Sequence, residues 1–264
     1  GDIAVACYYQ SSKVVNTERL SGTPSDRELV GAYVPAQFPG RGNANVVVHI
    51  WDKFGKLKSE DIVKGINGGD VGGIQIDKDN NLYIMTAPSR LIEGKAIDAG
   101  HSNTLIKFRK GAGGKLLTRN GLLPLSPNEQ PKRPQDINGY WVENAEWLYG
   151  AVGGFNAGCV CIYSRFRIDY FGHSFAPAPQ LFEVAMLDSA GNLILKIGQY
   201  GNEDSKGKNS KEPLGGDEVG LFNPCFAASQ TDRRVFIADI GNQNIMSVKL
   251  SYAVDEILPV KLKH

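Results

Sequence analysis

The sequence predicts an all-β fold built of repeated antiparallel strand pairs. Three pairs of positions share a spacing of ten residues, and short apolar stretches surround both members of each pair: Gly73 and Tyr83, Gly139 and Tyr149, and Phe226 and Phe236. Short apolar stretches joined by turn residues are typical of antiparallel strands. Because the pairs recur at one offset, they indicate a repeat architecture such as a β-propeller.

A second hairpin signature supplies the outer strands. The motif Asp-x-x-Gly-x-Leu occurs at 52–57 and at 188–193, and alternating apolar residues precede it in both places. The aspartate side chain can accept hydrogen bonds from amides of its own turn, and glycine adopts the positive φ that such a turn needs. A looser version spans 105–117. One inner pair and one outer hairpin make about four strands, the content of a propeller blade.

The repeats set the predicted blade boundaries. We expect blades at 72–118, 138–198 and 223–258, and an incomplete blade at 1–63 whose first strand is absent. The chain is then one propeller domain of about four blades or a portion of a larger, six-bladed ring. In the second case, either amino-terminal blades are missing or another segment supplies the gap.

The last copy carries a family resemblance. Residues 224–228 and 235–245 resemble the NHL repeat, a Pro-x-Gly-apolar start followed by Val-Tyr-Val-Ala-Asp-x-Gly-Asn-x-x-Ile, and residues 73–87 are similar. The chain departs from that pattern in its long insertions, in Phe226 at the glycine position and in Gln230 at an aspartate position. The resemblance implies a propeller but no single activity, since such propellers serve as binding platforms, scaffolds and hydrolase or lyase frames.

Composition excludes several classes of function. Of 264 residues, 29 are Lys or Arg and 28 are Asp or Glu, so the formal charge of +1 predicts no nucleic-acid partner. No apolar run approaches the roughly 20 residues of a membrane span. No Cys-x-x-Cys-His motif is present, so covalent c-type haem is excluded. The four cysteines are too few for a disulfide scaffold, and we expect most of them to be ordinary buried thiols: Cys7, Cys159, Cys161 and Cys225.

Long connections are the expected location of function. Segments rich in Gly, Pro, Ser and Asn lie at 8–44, 88–102, 152–180 and 199–222. Connections longer than about 12 to 15 residues tend to be functional or mobile. Their aromatic residues either pack the insertions onto the blades or form a partner interface: Tyr8, Tyr9, Tyr33, Phe38, Phe155, Phe171 and Phe175.

One insertion contains the densest set of reactive side chains, residues 158–173. Arg165, Arg167 and Asp169 alternate, so in an extended segment they share a face on which two guanidinium groups can receive an anion. Cys159, Cys161 and His173 can instead hold a soft metal. A third interpretation is an ion-pair network that fixes the insertion onto the propeller. We take the six side chains as candidate ligand-binding residues.

A rival set of candidates precedes the predicted inner strands. Asp70, Asp136, Asn138 and Asn223 can place oxygen ligands at the channel mouth, as a metal-dependent propeller hydrolase or lyase requires, although such residues are also common turn formers. The stretch 77–81 resembles the start of a calcium loop but lacks its glycine and distal glutamate, so we predict a hairpin turn there. Familiar nucleophile, nucleotide and zinc-protease motifs are absent.

These observations favour a non-catalytic binding or scaffold module that engages a protein partner or ligand through its insertions. The alternatives are a metal-dependent hydrolase or lyase of the lactonase or amidating-lyase type, with a divalent metal as its cofactor, and an accessory subunit of a larger assembly. The favoured interpretation needs no cofactor. The first residues read as a strand without an initiator methionine, so we expect a processed or partial amino terminus. The usual location of such propellers favours an extracytoplasmic protein, either secreted or periplasmic.

Overall fold

The structure, a computed structural model, describes residues 1–8, 46–66, 71–97, 103–118, 125, 127–154, 164–202, 219–230 and 233–251. Regular structure in these residues is β, apart from a 3-10 turn at Pro179–Leu181. The strands in chain order are β1 (Ile3–Tyr8), β2 (Val46–Trp51), β3 (Leu57–Ile66), β4 (Val71–Ile76), β5 (Leu82–Thr86), β6 (Leu91–Ile92), β7 (Lys95–Ala96), β8 (Asn103–Phe108), β9 (Gly114–Thr118), β10 (Tyr140–Glu143), β11 (Ala145–Val152), β12 (Arg167–Ile168), β13 (Ser174–Ala178), β14 (Glu183–Leu187), β15 (Leu193–Ile197), β16 (Gln199–Tyr200), β17 (Gly220–Leu221), β18 (Pro224–Gln230), β19 (Arg234–Asp239) and β20 (Asn244–Lys249).

Most of the strands form four sheets, of which the first two are interleaved along the chain. The first sheet has the order β1-β2-β3-β9-β10, the second β4-β5-β8-β11, the third β12-β13-β14-β15 and the fourth β18-β19-β20. Within these sheets the pairing is antiparallel except between β3 and β9. The remaining strands form two small pairs, β6 with β7 and β16 with β17.

The four sheets pack face to face. Successive residues of β5 point to opposite faces, so Leu82 and Ile84 pack against the first sheet and Tyr83 and Met85 against the third. A further apolar core, which includes Phe175 and Val235, joins the third sheet to the fourth. The first strands also meet, since β4 contacts β1 and β12, and β12 contacts β18. Stacked antiparallel sheets whose first strands adjoin are the blades of a β-propeller.

One turn type connects strands in three of the sheets. Asp52, Asp77, Asp169 and Asp188 each accept hydrogen bonds on Oδ1 from the backbone N–H groups two and four residues further on. The fourth residue of each turn has a positive φ, between 65° and 85°, and is glycine in three turns and Asn80 in the other. The prediction of a hairpin turn at 77–81 is confirmed.

Two of the ten-residue repeats are equivalent in the structure. Gly73 of β4 pairs with Met85 of β5, and Phe226 of β18 pairs with Ala238 of β19, so the register is the same in the second and fourth sheets. The prediction that 139–149 forms a third inner pair is wrong. There β10 pairs with β9 at the edge of the first sheet, whereas β11 pairs with β8 at the edge of the second.

The physical reason is an excursion of the chain between β8 and β11. The predicted hairpin at 105–117 does not form, because the chain leaves β8 through glycines at φ 70° and 60° and β9 then joins β3. The side chain of Asn144, at φ 63°, donates to the Gly113 carbonyl where the chain returns to the second sheet. The spacing from Gly139 to Tyr149 therefore spans two sheets.

The third sheet also differs from the prediction. Its first two strands, β12 and β13, lie within 152–180, which the sequence assigned to an insertion. Asp169 and Gly172 form the same aspartate turn that marks the other hairpins. The segment with the densest reactive side chains is thus partly an inner hairpin of a blade.

Candidate functional site

The predicted anion site separates into parts with different partners. Asp169 Oδ1 accepts from the N–H groups of Phe171 and His173, both at 2.9 Å, and Asp169 Oδ2 lies 2.8 Å from His173 Nδ1. These contacts hold the β12–β13 turn. The structure thus joins Asp169 of the predicted anion set to His173 of the alternative metal set, and this contact lies within one turn.

Arg165 joins neighbouring first strands. Its Nη1 donates to the carbonyl of Gly72 and, at 3.2 Å, to that of Ser164. Its backbone N–H donates to Cys225 O at 2.8 Å and its carbonyl accepts from Ala227 N at 3.2 Å. The guanidinium thus links the third blade to the second, while the backbone links the third to the fourth.

Arg167 lies on the same exposed side of its strand as Arg165 and faces a groove. Its Nη1 is 3.4 Å from Gln75 Oε1, a long contact. The groove has a volume of about 180 Å³ and lies between the β12–β13 hairpin and the fourth sheet. We call it the Arg167 groove and define its charged rim by Arg167 and Arg233.

Arg233 comes directly before β19, and Arg234 is the first residue of that strand. Arg233 is exposed and has φ 62°, a left-handed conformation that is uncommon outside glycine. Its carbonyl accepts from Leu250 N at 2.9 Å, which holds this conformation. Arg234 Nη1 donates to Ser247 Oγ at 2.7 Å. Sequence analysis missed this pair, and their only signal was two adjacent arginines at the start of an apolar strand.

The charge of the Arg167 groove is unbalanced. Among the described residues that line it, Asp169 is the only carboxylate, and that carboxylate already accepts bonds within its own turn. The guanidinium groups of Arg167 and Arg233 therefore face one committed carboxylate, whereas Arg234 bonds Ser247 on the opposite face of the fourth sheet. Guanidinium groups are rigid forks that match carboxylate and phosphate oxygens, so the groove favours an anion.

The aromatic residues of the predicted insertions differ in exposure. Phe171 is exposed on the groove, where a partner interface would need it. Phe175 is buried beneath the groove and packs the hairpin onto the blades. Tyr9, Tyr33, Phe38 and Phe155 lie outside the described residues, as does the side chain of Tyr8.

Of the cysteines, Cys159 and Cys161 lie outside the described residues, as does the Cys7 side chain. Cys225 is a free thiol, 3% exposed, and its Sγ lies 3.4 Å from Asn223 Oδ1. Burial raises the pKa of the Cys225 thiol to about 11. Cys225 is therefore an ordinary buried thiol, as predicted.

The proposed channel-mouth residues do not occupy equivalent positions. Asp136 accepts from Val142 N and from Arg133 Nη1, and Asn138 N–H donates to Ser89 O at 2.9 Å. Both precede β10, an edge strand of the first sheet, whereas Asn223 precedes β18, the first strand of the fourth sheet. Asp70 lies outside the described residues. In the described part of the chain, no three His, Cys, Asp or Glu side chains are grouped as a metal site would need.

Comparison with known proteins gives the following. No protein-family model matches the chain, and no curated protein matches it. Among solved structures, the PQQ domain of pyranose dehydrogenase from Coprinopsis cinerea is 9% identical, with 77% of this chain and 61% of that chain covered and a TM-score of 0.37. A gluconolactonase from Xanthomonas campestris is 13% identical, with 76% and 64% covered and a TM-score of 0.27. Virginiamycin B lyase from Staphylococcus aureus is 9% identical, with 95% and 75% covered and a TM-score of 0.30.

The chain thus spans less than two thirds of the first two of these structures. The TM-scores are too low to carry any argument about activity, and the fold rests on the strand pairing and sheet packing described above. In the residues that the structure describes, no helix has the length and apolar character to cross a membrane.

Proposed function

We propose that this chain is a non-catalytic β-propeller binding module that receives the anionic group of a protein partner or ligand in the Arg167 groove. The single observation that carries the proposal is the surplus of guanidinium groups over the one committed carboxylate in that groove. The proposal keeps Arg167 from the predicted site and replaces Arg165 by Arg233.

The groove is held in shape before a ligand arrives. The aspartate turn fixes the wall that carries Arg167, and the Leu250 amide fixes the wall that carries Arg233. A ligand therefore does not have to order these walls, which lowers the entropic cost of binding. Each hydrogen bond from a charged donor contributes about 1.5 to 3 kcal/mol.

We also propose that the blades are of the NHL-like type. Asp239 and Asn242 stand at the Asp-x-Gly-Asn positions of the NHL pattern, and both are buried. Asp239 binds the backbone before β18 and after β19, so the motif closes the end of a blade. This structural role supports NHL-like blades, and it is independent of any ligand.

Titration with simple anions tests the proposed function. We expect acetate and inorganic phosphate to shift the arginine Nε–Hε resonances of Arg167 and Arg233 in NMR spectra of the full chain. Substitution Arg233→Gln should weaken acetate binding at least about tenfold, as expected for the loss of a charged hydrogen bond. Added salt should weaken it further, because the site is open to solvent.

Arg109→Gln provides the matched control. Arg109 is an exposed arginine outside the groove and lies 3.5 Å from Glu146. Its substitution should leave anion binding unchanged. Equal responses of Arg109 and Arg233 to both anions would contradict the proposal, since they would indicate nonspecific ion association.

A further inference from the structure

The floor of the Arg167 groove is apolar although its rim is charged. The side chains of Phe175, Val235 and Leu250 line the groove, and all three are buried. A free inorganic anion would leave this apolar floor without a partner. The groove therefore has two chemically different parts, one for charge and one for an apolar group.

The volume limits the apolar group to about one side chain. A cavity of about 150 Å³ lined by apolar side chains can hold a benzene molecule, and the Arg167 groove measures about 180 Å³. Sites that enclose whole small molecules are larger, about 300 to 1,000 Å³. One aromatic or branched aliphatic group fits the groove, and the remainder of its ligand must lie outside.

The surface beside the groove suits a larger ligand. Tyr170 and Phe171 are 68% and 66% exposed, and their rings meet edge to face with centroids 5.7 Å apart. Lys78 from the adjacent turn lies 6.0 Å from the centre of the Tyr170 ring. Exposed Tyr, Phe and Arg are the residue types enriched at protein interfaces.

We infer that the groove binds a segment of a partner protein in which one aromatic side chain stands between carboxylates. The aromatic side chain occupies the apolar floor, and the carboxylates contact Arg167 and Arg233 on opposite walls. The inference rests on the proposed function and specifies its ligand. Charge complementarity selects the acidic residues, and the volume selects a single apolar side chain.

Four probes separate the two parts of the ligand. They are the peptide acetyl-Gly-Asp-Phe-Asp-Gly-amide, the same peptide with Gly in place of Phe, the same peptide with Asn in place of both Asp residues, and free phenylacetate. We expect the first peptide to bind at least about tenfold more tightly than each of the others, because burial of one ring adds to the charged contacts. Affinities are measured by calorimetry and NMR titration on the full chain.

Two substitutions locate the bound ring. Phe171→Ala removes an exposed ring, so it should preserve the melting temperature and weaken the first peptide several-fold while leaving the glycine peptide unchanged. Ser229→Phe places a ring into the groove and should block the first peptide. Phe54→Ala is the control, since Phe54 is also exposed but lies on the β2–β3 turn.

The outcomes distinguish the inference from the proposed function. If the glycine peptide binds as tightly as the phenylalanine peptide, the inference is overturned and anion binding stands. If phenylacetate binds as tightly as the phenylalanine peptide, the ligand is a free aromatic acid and the inference of a partner-protein segment is overturned. If neither acetate nor any peptide binds, both the inference and the proposed function fail.

Discussion

The backbone amide of Asp61 donates a hydrogen bond of 3.0 Å to Nδ1 of His49, across a bulge where β3 has extra residues opposite β2. His49 is 2% exposed, and the Trp51 ring meets it edge to face. The carboxylate of Asp61 lies 3.7 Å from the same nitrogen. The bond requires a neutral imidazole, because a protonated Nδ1 cannot accept it.

This contact predicts a loss of stability in acid. Burial lowers the pKa of His49 below its ordinary 6.5, against the opposing attraction of Asp61 and Glu60. Above pH 6.5 the imidazole is neutral in both states; as pH falls, the unfolded chain gains the proton first. The free energy of unfolding should fall by up to about 1.4 kcal/mol per pH unit in that window, until the folded pKa is passed.

Urea unfolding at several pH values measures this effect. In His49→Asn, whose side-chain oxygen can still accept from Asp61, the part of the pH dependence below 6.5 that His49 causes should disappear. An unchanged pH profile in the variant would rule out His49 as the responsible group.

Two matched glycines test the packing of the second sheet against the third. Gly55 and Gly191 occupy the same position of the aspartate turn, at φ 80° and 84°. A Cβ at Gly55 meets nothing within 4 Å, whereas one at Gly191 would lie 2.6 Å from the ring of Trp147. Gly55→Ala should cost about 1 kcal/mol from backbone strain alone, and Gly191→Ala about 2 kcal/mol more. Thermal unfolding compares them, and equal costs would mean that Trp147 moves aside freely.

We expect the substitution Asp239→Asn to lower the stability of the fold strongly although it changes few atoms. The Asp239 carboxylate is 1% exposed and accepts from the N–H groups of Phe222, Asn223, Gly241 and Asn242 at 2.7 to 3.2 Å. Asp239→Asn replaces an acceptor oxygen by an NH₂ group that faces these donors. The free energy of unfolding should fall by about 3 kcal/mol.

The exposed Asp79 is the control for that substitution. Asp79→Asn should change the stability by less than about 0.5 kcal/mol. If Asp239→Asn is equally mild, the blade end is closed by other contacts and the motif has no such role.

The buried thiol of Cys225 should be unreactive in the folded protein. With Cys7, Cys159 and Cys161 replaced by serine, the remaining thiol should react with a disulfide reagent at neutral pH only as the protein unfolds. Burial and a pKa of about 11 both keep the thiolate scarce. The reaction is measured by absorbance. If the Cys225 thiol reacts quickly while the protein is still folded, the fourth blade must open locally.

Local chemistry made part of the fold predictable. The turns at Asp52, Asp77 and Asp188 depend on residues within five positions of one another, so their sequence predicts them. The same signature at Asp169 was present but lay in a segment assigned to an insertion. Long connections obscured it, because 152–180 is rich in the residues that usually mark loops.

Local sequence patterns could not predict which sheet a strand joins. The strand at 140–143 is a short apolar stretch like those of the predicted inner strands, yet it pairs with β9 on the first sheet. Alternation shows that a segment is a strand and which residues share a face, but it does not specify the neighbouring strand. The repeat at 139–149 was therefore misassigned although its strands were predicted correctly.

The all-β fold, the aspartate turns that join strands and the Asp-x-Gly-Asn motif at the end of the last blade could all be predicted from the amino-acid sequence, because short-range hydrogen bonding and the pattern of apolar residues encode these features. Tertiary packing alone places Arg165 at the Gly72 carbonyl. It also brings Arg167 and Arg233 together at one groove. Those arginines belong to different sheets. They converge because apolar residues on the facing sides of the third and fourth sheets pack together.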